Sequence, residues 1–226
     1  MVNFFPQYIS NRAIQVYFVI LAVLYVLFSN KIPDFFMIVI AATFMLLFFG
    51  FLPSASRRFS VLPEKIFKRN LFVYTLLLHL LSVFFFYFYY TVKTGIPFEY
   101  GTADAMSYHI FGNIIATSPE MNFSDIISIA EEWVPNISDY GHNIWIATIY
   151  KIVGVNVIVP RIINAIFSAW TCVITYKLAQ RHFGEATGRI AGIMCMFFGT
   201  FIFYSGLHLK ETMFTFLWLI FIERAD

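Results

Sequence analysis

Charged residues are scarce in this chain. Only 12% of its 226 residues are Asp, Glu, Lys or Arg, whereas 60% are hydrophobic and 29 are Phe. A soluble globular domain has about 25% charged residues, so the composition excludes that class. The net charge of +2 gives no reason to expect nucleic acid as a partner, because the basic residues lie in short loops between apolar stretches.

Cysteine is also rare, and the motifs of nucleotide-binding and metal-dependent soluble enzymes are missing. Cys172 and Cys195 lie inside apolar stretches, and we expect them to be small core residues rather than a disulfide or a metal pair. The sequence has no Walker loop, GxGxxG, CxxC or HExxH, so an activated donor would have to reach the protein through the membrane. No cleavable signal peptide is expected, because the first apolar run is too long and lacks a small-residue cleavage site.

The chain is rich in long apolar stretches. Four of them contain no charge, and the fifth is charged only near its two ends; they cover residues 13–30, 35–56, 71–92, 190–209 and 157–178. A helix needs about 20 residues to cross the hydrocarbon core of a bilayer. The sequence therefore predicts an all-α fold, a polytopic transmembrane helical bundle with five full crossings and a shorter C-terminal helix at 212–222.

The basic loops predict how the chain crosses the membrane. The 54–70 loop has five basic residues against one acid, and the 177–189 turn is also basic. Both loops are cytoplasmic, as the positive-inside rule requires, if 141–154 lies at the interface or re-enters instead of crossing. We therefore predict an integral plasma (inner) membrane protein with a cytoplasmic N-terminus and an external segment at 93–156.

The same pattern divides the chain into two parts. Residues 1–70 are predicted to form an N-terminal pair of transmembrane helices with a basic cytoplasmic loop, and residues 71–226 a transmembrane core. The last apolar segment is too short to cross alone. We therefore expect Lys210 and Glu211 to lie below the membrane surface, and the chain to be the N-terminal portion of a longer protein.

The external segment is predicted to carry short juxtamembrane helices. Between Asp104 and Thr117, a helix is predicted because four residues recur at spacings of three and four, which places them on one helix face. They are Asp104, Tyr108, Phe111 and Ile115. His109 follows Asp104 by five residues, about 140° around a helix, and is not expected to share that face. A second helix is predicted from Ser124 to Trp133, lying in the plane of the interface.

Charged and titratable residues collect on the predicted outer side. Charges at membrane depth are costly and usually face a cavity or a partner. A carboxylate that takes a proton from an attacking nucleophile, with cations that hold a departing phosphate, would account for such a set. Its members are Asp104, Lys151, Arg161, His208, Lys210 and Glu211.

Structural interpretations of the same residues stay open. Asp104 could serve only as a helix cap. Lys151 and Arg161 could extend along apolar surface to lipid phosphates. Lys210 and Glu211 could form a structural ion pair at the entry of the last helix.

The order of four segments in the second part of the chain forms a larger pattern. An aspartate helix is followed by a juxtamembrane helix, a span opening with arginine, and a final pair of apolar segments with an acid between them. These segments read "GTADAMSYHIFGNIIA" (101–116), "YGHNIWIATIYKIVGVN" (140–156), "RIINAIFSAWTCVITYKLAQRHFG" (161–184) and "ATGRIAGIMCMFFGTFIFYSGLHLKETMFTFLWLI" (186–220). Together they resemble the N-terminal half of the GT-C superfamily of polytopic glycosyltransferases. The likeness is greatest to the protein O-mannosyltransferase-like branch and the bacterial aminoarabinose transferases, and it covers about residues 71–222.

This resemblance implies a membrane glycosyltransferase with an active site on the outer face and inversion at the anomeric carbon. The implied partners are a polyprenyl-phosphate sugar donor, membrane lipids, and an acceptor that is a lipid, a glycan or a protein. Asp104 matches the family's acid on the first external loop, which acts as base or as metal or acceptor ligand. Glu211 falls near a second family acid. The candidate substrate-binding residues are Tyr108, His109, Lys151, Arg161, His208 and Lys210.

The chain departs from the family pattern in two respects. It has an additional pair of apolar spans before residue 70. Many family members have two adjacent acids where this chain has Asp104 followed by Ala105. The cofactor is therefore undefined, and a divalent cation with Asp104 as a ligand is the one candidate.

Two other functional classes remain open. A transporter or flippase of lipid-linked glycans would use the same cations to hold phosphate without breaking a bond. A broken helix pair or an inverted repeat would favour that class, and the sequence shows neither. A non-catalytic membrane scaffold is the third class, although the collection of charge on one side argues against it.

Overall fold

The chain folds into helices joined by short turns. The structure, a computed structural model, describes residues 7–28, 35–99, 103–118, 125 and 139–226. Its helices are α1 (Gln7–Phe28), α2 (Phe35–Ser60), α3 (Glu64–Thr94), α4 (Ala103–Thr117), α5 (Tyr140–Val153), α6 (Ile158–Phe183), α7 (Glu185–Met196), α8 (Gly199–Gly206) and α9 (Glu211–Ala225). The described residues contain no strand, so the all-α prediction is confirmed. The helix predicted over 124–133 lies outside the described residues, apart from Asp125.

Fewer helices qualify as membrane spans than the five that the sequence predicts. Within the described residues, Ser10–Phe28, Glu64–Thr94 and Ile158–Phe183 are long and apolar enough to cross a membrane. The predicted span at 35–56 lies in α2, where the described residues give a shorter apolar helix, Ile38–Phe51, and α2 is not among the candidate spans. Pro53 and a polar last turn with Arg57 and Arg58 follow in the same helix.

The predicted single span at 190–209 is wrong as a continuous helix. α7 ends at Met196 and α8 begins at Gly199, and the two axes are bent by 48°. Phe198 interrupts the helix because its backbone is extended, with φ −66° and ψ 110°. If the bent pair counts as one broken span, the described residues hold up to four candidate spans.

α6 lies at the centre of the fold and packs against α3, α7 and α9. Its closest approach is to α7, where a Cβ added at Gly192 would lie 3.1 Å from the Tyr176 Cβ and 2.8 Å from Leu71. Cys172 is buried in this core and Cys195 is partly buried, and neither forms a disulfide. This agrees with the prediction that they are core residues.

The elements that position the candidate site are α4, α5 and the turn between α8 and α9. α4 and α5 pack tightly because a Cβ at Gly112 would lie only 2.6 Å from Ile146 Cγ2. α5 has 14 residues and is not among the candidate spans; that 141–154 does not cross stays a prediction. Gly95 ends α3 with φ +78°, a left-handed conformation that glycine adopts without strain. This turn sends residues 96–99 back toward α6.

Candidate functional site

Three histidines from three different elements meet at one end of α6. His208, in the turn after α8, lies between His109 on α4 and His142 on α5, with both ring-centroid distances 6.5 Å. Tyr150 on α5 stacks on His208 with its centroid 6.4 Å away. Tyr108 on α4 meets the edge of the His142 ring at 4.7 Å. We call these five residues the histidine cluster.

Burial keeps the histidines of this cluster neutral. It lowers the pKa of His142 to about 4, with a further contribution from the positive charge of Lys210. The pKa of His208 is well below its ordinary value because the ring is completely buried, and nearby Arg161 acts in the same direction. Burial also lowers the pKa of His109. At neutral pH each ring therefore offers one N–H donor and one nitrogen acceptor.

Most polar atoms of this region have no hydrogen-bond partner. His109 Nδ1 and Tyr150 Oη are 2.9 Å apart and form one hydrogen bond. Both ring nitrogens of His142, both of His208, and both side-chain amide atoms of Asn143 are buried without a partner. Buried polar groups in native proteins are nearly always hydrogen-bonded, and each unmade bond costs about 1–3 kcal/mol. This concentration of unmade bonds is typical of a site that receives a ligand or ordered water.

Arg161 lies on one side of the histidine cluster. Its side chain is completely buried in the first turn of α6, and its Nη2 donates to the carbonyl oxygen of Pro97. The guanidinium carbon lies 5.9 Å from the centroid of the Phe98 ring, and Glu99 attracts it electrostatically. Its Nε and Nη1 have no hydrogen-bond partner. Two donors of a buried cation thus remain available beside His208.

Lys210 lies on the other side of the cluster, where it is partly exposed. Its Nζ donates to the Asp139 carboxylate, which directly precedes α5, and this hydrogen bond raises the pKa of Lys210. Tyr108 lies next to the pair. Burial, reinforced by the negative charge of Asp139, raises the pKa of the Tyr108 hydroxyl to about 12. Lys210 is therefore a permanent cation at the rim of the site.

The structure brings together five of the eight residues that the sequence nominated. They are Tyr108, His109, Arg161, His208 and Lys210.

The other three nominated residues lie at the margin of the candidate site. Asp104 is exposed in the first turn of α4, and its charge reaches the cluster through Tyr108. Glu211 begins α9 half-buried, and its Oε2 is shielded from solvent without a hydrogen-bond partner. Lys151 is exposed in the last turn of α5. His109 contacts Tyr150, whereas Asp104 is exposed.

Sequence reasoning missed His142, Asn143, Tyr150 and Asp139 as members of the site. A weak signal was present, since Asn143 and Tyr150 are seven residues apart, two turns on one face of a helix. That spacing identifies the inner face of α5. It does not reveal that the residue opposite is His208.

In the part of the chain that the structure describes, no group of three or more His, Cys, Asp and Glu side chains is arranged to hold a metal ion. The protein matches no protein-family model, no curated protein and no solved structure. The chemistry of the site must therefore be argued from its own residues.

Proposed function

We propose that this protein is a membrane glycosyltransferase, or the N-terminal portion of one, that moves a sugar from a polyprenyl-phosphate donor to an acceptor on the outer face of the membrane. One observation carries the proposal. Two cations, Arg161 and Lys210, flank a buried set of neutral hydrogen-bonding groups beside apolar helices. A donor of this class has the matching parts: an anionic phosphate, a polyhydroxyl sugar and an apolar tail.

In the proposed reaction, a hydroxyl oxygen of the acceptor attacks the anomeric carbon of the sugar. The bond between that carbon and the phosphate oxygen breaks, and the phosphate leaves with the electron pair. Asp104, which is exposed, receives the proton of the attacking hydroxyl. Arg161 and Lys210 stabilise the negative charge on the departing polyprenyl phosphate. Glu211 is the second candidate acid, at the start of α9.

The decisive experiment replaces Asp104 in the full chain reconstituted into lipid vesicles. Polyprenyl phosphate carrying a radiolabelled sugar is supplied, and donor binding and sugar transfer are measured separately. Asp104→Asn keeps the shape of the side chain but removes the base. Transfer should fall by about 10²–10⁴-fold, the usual contribution of general base catalysis, whereas donor binding should change little.

Glu64→Gln is the matched control, because Glu64 is also an exposed carboxylate in the first turn of a helix, α3. It should transfer sugar at the wild-type rate. Transfer by Asp104→Asn at the wild-type rate would show that Asp104 is only a helix-terminal charge and would remove the base from this mechanism.

A second candidate function is a transporter or flippase of lipid-linked glycans. The observation that favours it is the break between α7 and α8, because transporters often place their binding sites at interrupted helices. The same vesicles distinguish the two functions. Movement of a fluorescent lipid-linked sugar between leaflets, without release of polyprenyl phosphate, would support transport over transfer.

A further inference from the structure

We propose that His142, Asn143 and His208 bind the sugar ring of the donor and thereby distinguish a sugar-bearing lipid from a bare polyprenyl phosphate. This inference rests on the proposed function, and it assigns a role to residues of α5 that the sequence pattern does not nominate. It depends on the placement of three buried side chains on two elements that face each other.

The three side chains form a set of unused hydrogen-bonding groups. His142 and His208 are 4% and 1% exposed, and Asn143 is 1% exposed. All four ring nitrogens and both amide atoms lack a hydrogen-bond partner, although the two imidazole rings are only 6.5 Å apart. A fold that needed these groups only for packing would gain by replacing them with apolar ones, because unmade buried hydrogen bonds are destabilising.

The chemistry of these groups matches hydroxyls better than phosphate. A neutral imidazole has one donor and one acceptor, and an amide has both kinds of group. A sugar hydroxyl also donates and accepts, so each of these atoms can be satisfied by a polyol. A phosphodiester anion only accepts, and it would leave the acceptor nitrogens and the amide oxygen unpaired. The cations that suit the phosphate, Arg161 and Lys210, lie on either side of this set.

The site formed by His142, Asn143 and His208 is closed in this structure, because their polar side-chain atoms are shielded from solvent. We expect a sugar to reach them through a movement of α4 and α5 away from the turn at 207–210. Such a movement would couple sugar binding to the position of α4, which carries Asp104 in its first turn. Binding of the correct sugar would then help to place the base.

The test measures the binding of four lipids to the full chain in nanodiscs: a polyprenyl phosphate, and the same lipid carrying glucose, mannose or arabinose. The variants are His142→Phe and Asn143→Leu, which keep the approximate shape of each side chain and remove its hydrogen-bonding atoms. The control is His182→Phe, because His182 is exposed at the far end of α6 and contacts Asp226.

We expect the wild-type protein to bind at least one sugar-bearing lipid about tenfold more tightly than the bare lipid. A tenfold preference corresponds to about 1.4 kcal/mol, which one or two net hydrogen bonds would supply. Both variants should lose the preference and still bind bare polyprenyl phosphate within about twofold of wild type. The melting temperature of His142→Phe should stay level or rise, because the substitution removes unpaired buried groups. The control should resemble wild type in all respects.

Each other outcome has a definite meaning. If wild type binds bare and sugar-bearing lipids equally, or if the variants keep the preference, the inference is overturned and the proposed function stands. A lower melting temperature of His142→Phe with unchanged sugar preference would show that these atoms belong to a structural network. If wild type binds none of the four lipids, the proposed function itself fails, and the inference fails with it.

Discussion

Two arginines are buried in the described part of the chain, and their surroundings differ in kind. Arg189 on α7 uses every nitrogen: Nε pairs with Glu185 at 2.6 Å, Nη1 donates to the Phe59 carbonyl, and Nη2 donates to the Leu62 carbonyl at 2.8 Å. Its guanidinium carbon also lies 4.9 Å from the centroid of the Phe67 ring. Arg161 has one hydrogen-bond acceptor, the carbonyl of Pro97, and two nitrogens without any.

The side chains next to the two arginines differ in the same way, in how many of their hydrogen bonds are made. Beside Arg189, the Tyr176 hydroxyl and the Gln180 amide both donate to the Glu185 carboxylate. Beside Arg161, His208 makes no hydrogen bond. Arg161 and Tyr176 are 15 residues apart on α6, so the two regions lie about 22 Å apart along that helix at 1.5 Å per residue.

The completeness of hydrogen bonding distinguishes structural polar groups from candidate functional ones. The Arg189 region joins the α2–α3 turn to α6 and α7, and its hydrogen bonds are complete within the chain. The Arg161 region is equally buried, yet its hydrogen bonds are incomplete. Burial alone therefore does not identify a site, whereas several unmade buried hydrogen bonds gathered in one place indicate one.

The largest expected effect comes from Arg189→Met. This change keeps much of the side-chain volume but removes one of the donors to the Glu185 carboxylate and the arginine donors to the Phe59 and Leu62 carbonyls. Three hydrogen bonds of the guanidinium are lost, and at roughly 1–1.5 kcal/mol each they amount to about 3–4.5 kcal/mol. We expect a loss of that size in the free energy of unfolding, measured by denaturant titration in detergent.

Arg161→Met is the matched variant, and we expect a smaller loss, because the change removes one hydrogen bond, to the Pro97 carbonyl, and the attraction of Glu99, whereas Arg189→Met removes three hydrogen bonds. Binding of polyprenyl phosphate should fall at least tenfold in Arg161→Met and stay unchanged in Arg189→Met once the folded fraction is equalised. Equal stability losses in the two variants would contradict the distinction between a structural Arg189 and a functional Arg161.

A smaller effect is expected from pH. The folded-state pKa of His142 is about 4, below the ordinary value of about 6.5. Above pH 6.5 the ring is neutral whether the chain is folded or unfolded, so the full stability is present. As the pH falls from 6.5 to 4, the unfolded chain takes up a proton that the folded protein does not, and stability declines.

The decline should be roughly 1 kcal/mol per pH unit for each histidine that behaves this way. Melting curves in detergent between pH 7 and pH 4 measure it. His142→Phe should have a shallower pH dependence, whereas Arg189→Met should be less stable at every pH without a change in slope. An unaltered slope in His142→Phe would mean that this histidine already carries its proton in the folded state.

The smallest effect is expected from an exposed pair. Glu64 and Lys68 lie one turn apart on α3 with 2.8 Å between the carboxylate and the ammonium group, and the two side chains are 50% and 32% exposed. Such pairs contribute about 0.3–0.5 kcal/mol. Lys68→Met should change the free energy of unfolding by no more than this. A loss comparable to that of Arg189→Met would show that pairing, rather than burial, sets the scale.

Much of the secondary structure was predictable from the sequence. The apolar stretches at 13–30, 71–92 and 157–178 correspond to the three candidate spans, because length and hydrophobicity are local properties that a bilayer selects directly. The helix beginning near Asp104 was predicted by its periodicity. The break at Phe198 was missed, because an extended residue inside an apolar run leaves no trace in hydrophobicity.

The candidate site was predictable only in part, and the reason is physical. Composition and charge placement, read with a family resemblance, nominated Arg161, His208 and Lys210, since polar groups inside an apolar chain are costly enough to need a cause. Whether such groups are paired depends on atoms that lie far away in sequence. Arg189 finds its acceptors 127 and 130 residues away, at Leu62 and Phe59. His208 meets His142 and finds no partner. Local sequence determined which residues are polar and which face of each helix they occupy, and the tertiary packing decided which of them are left with unused hydrogen bonds.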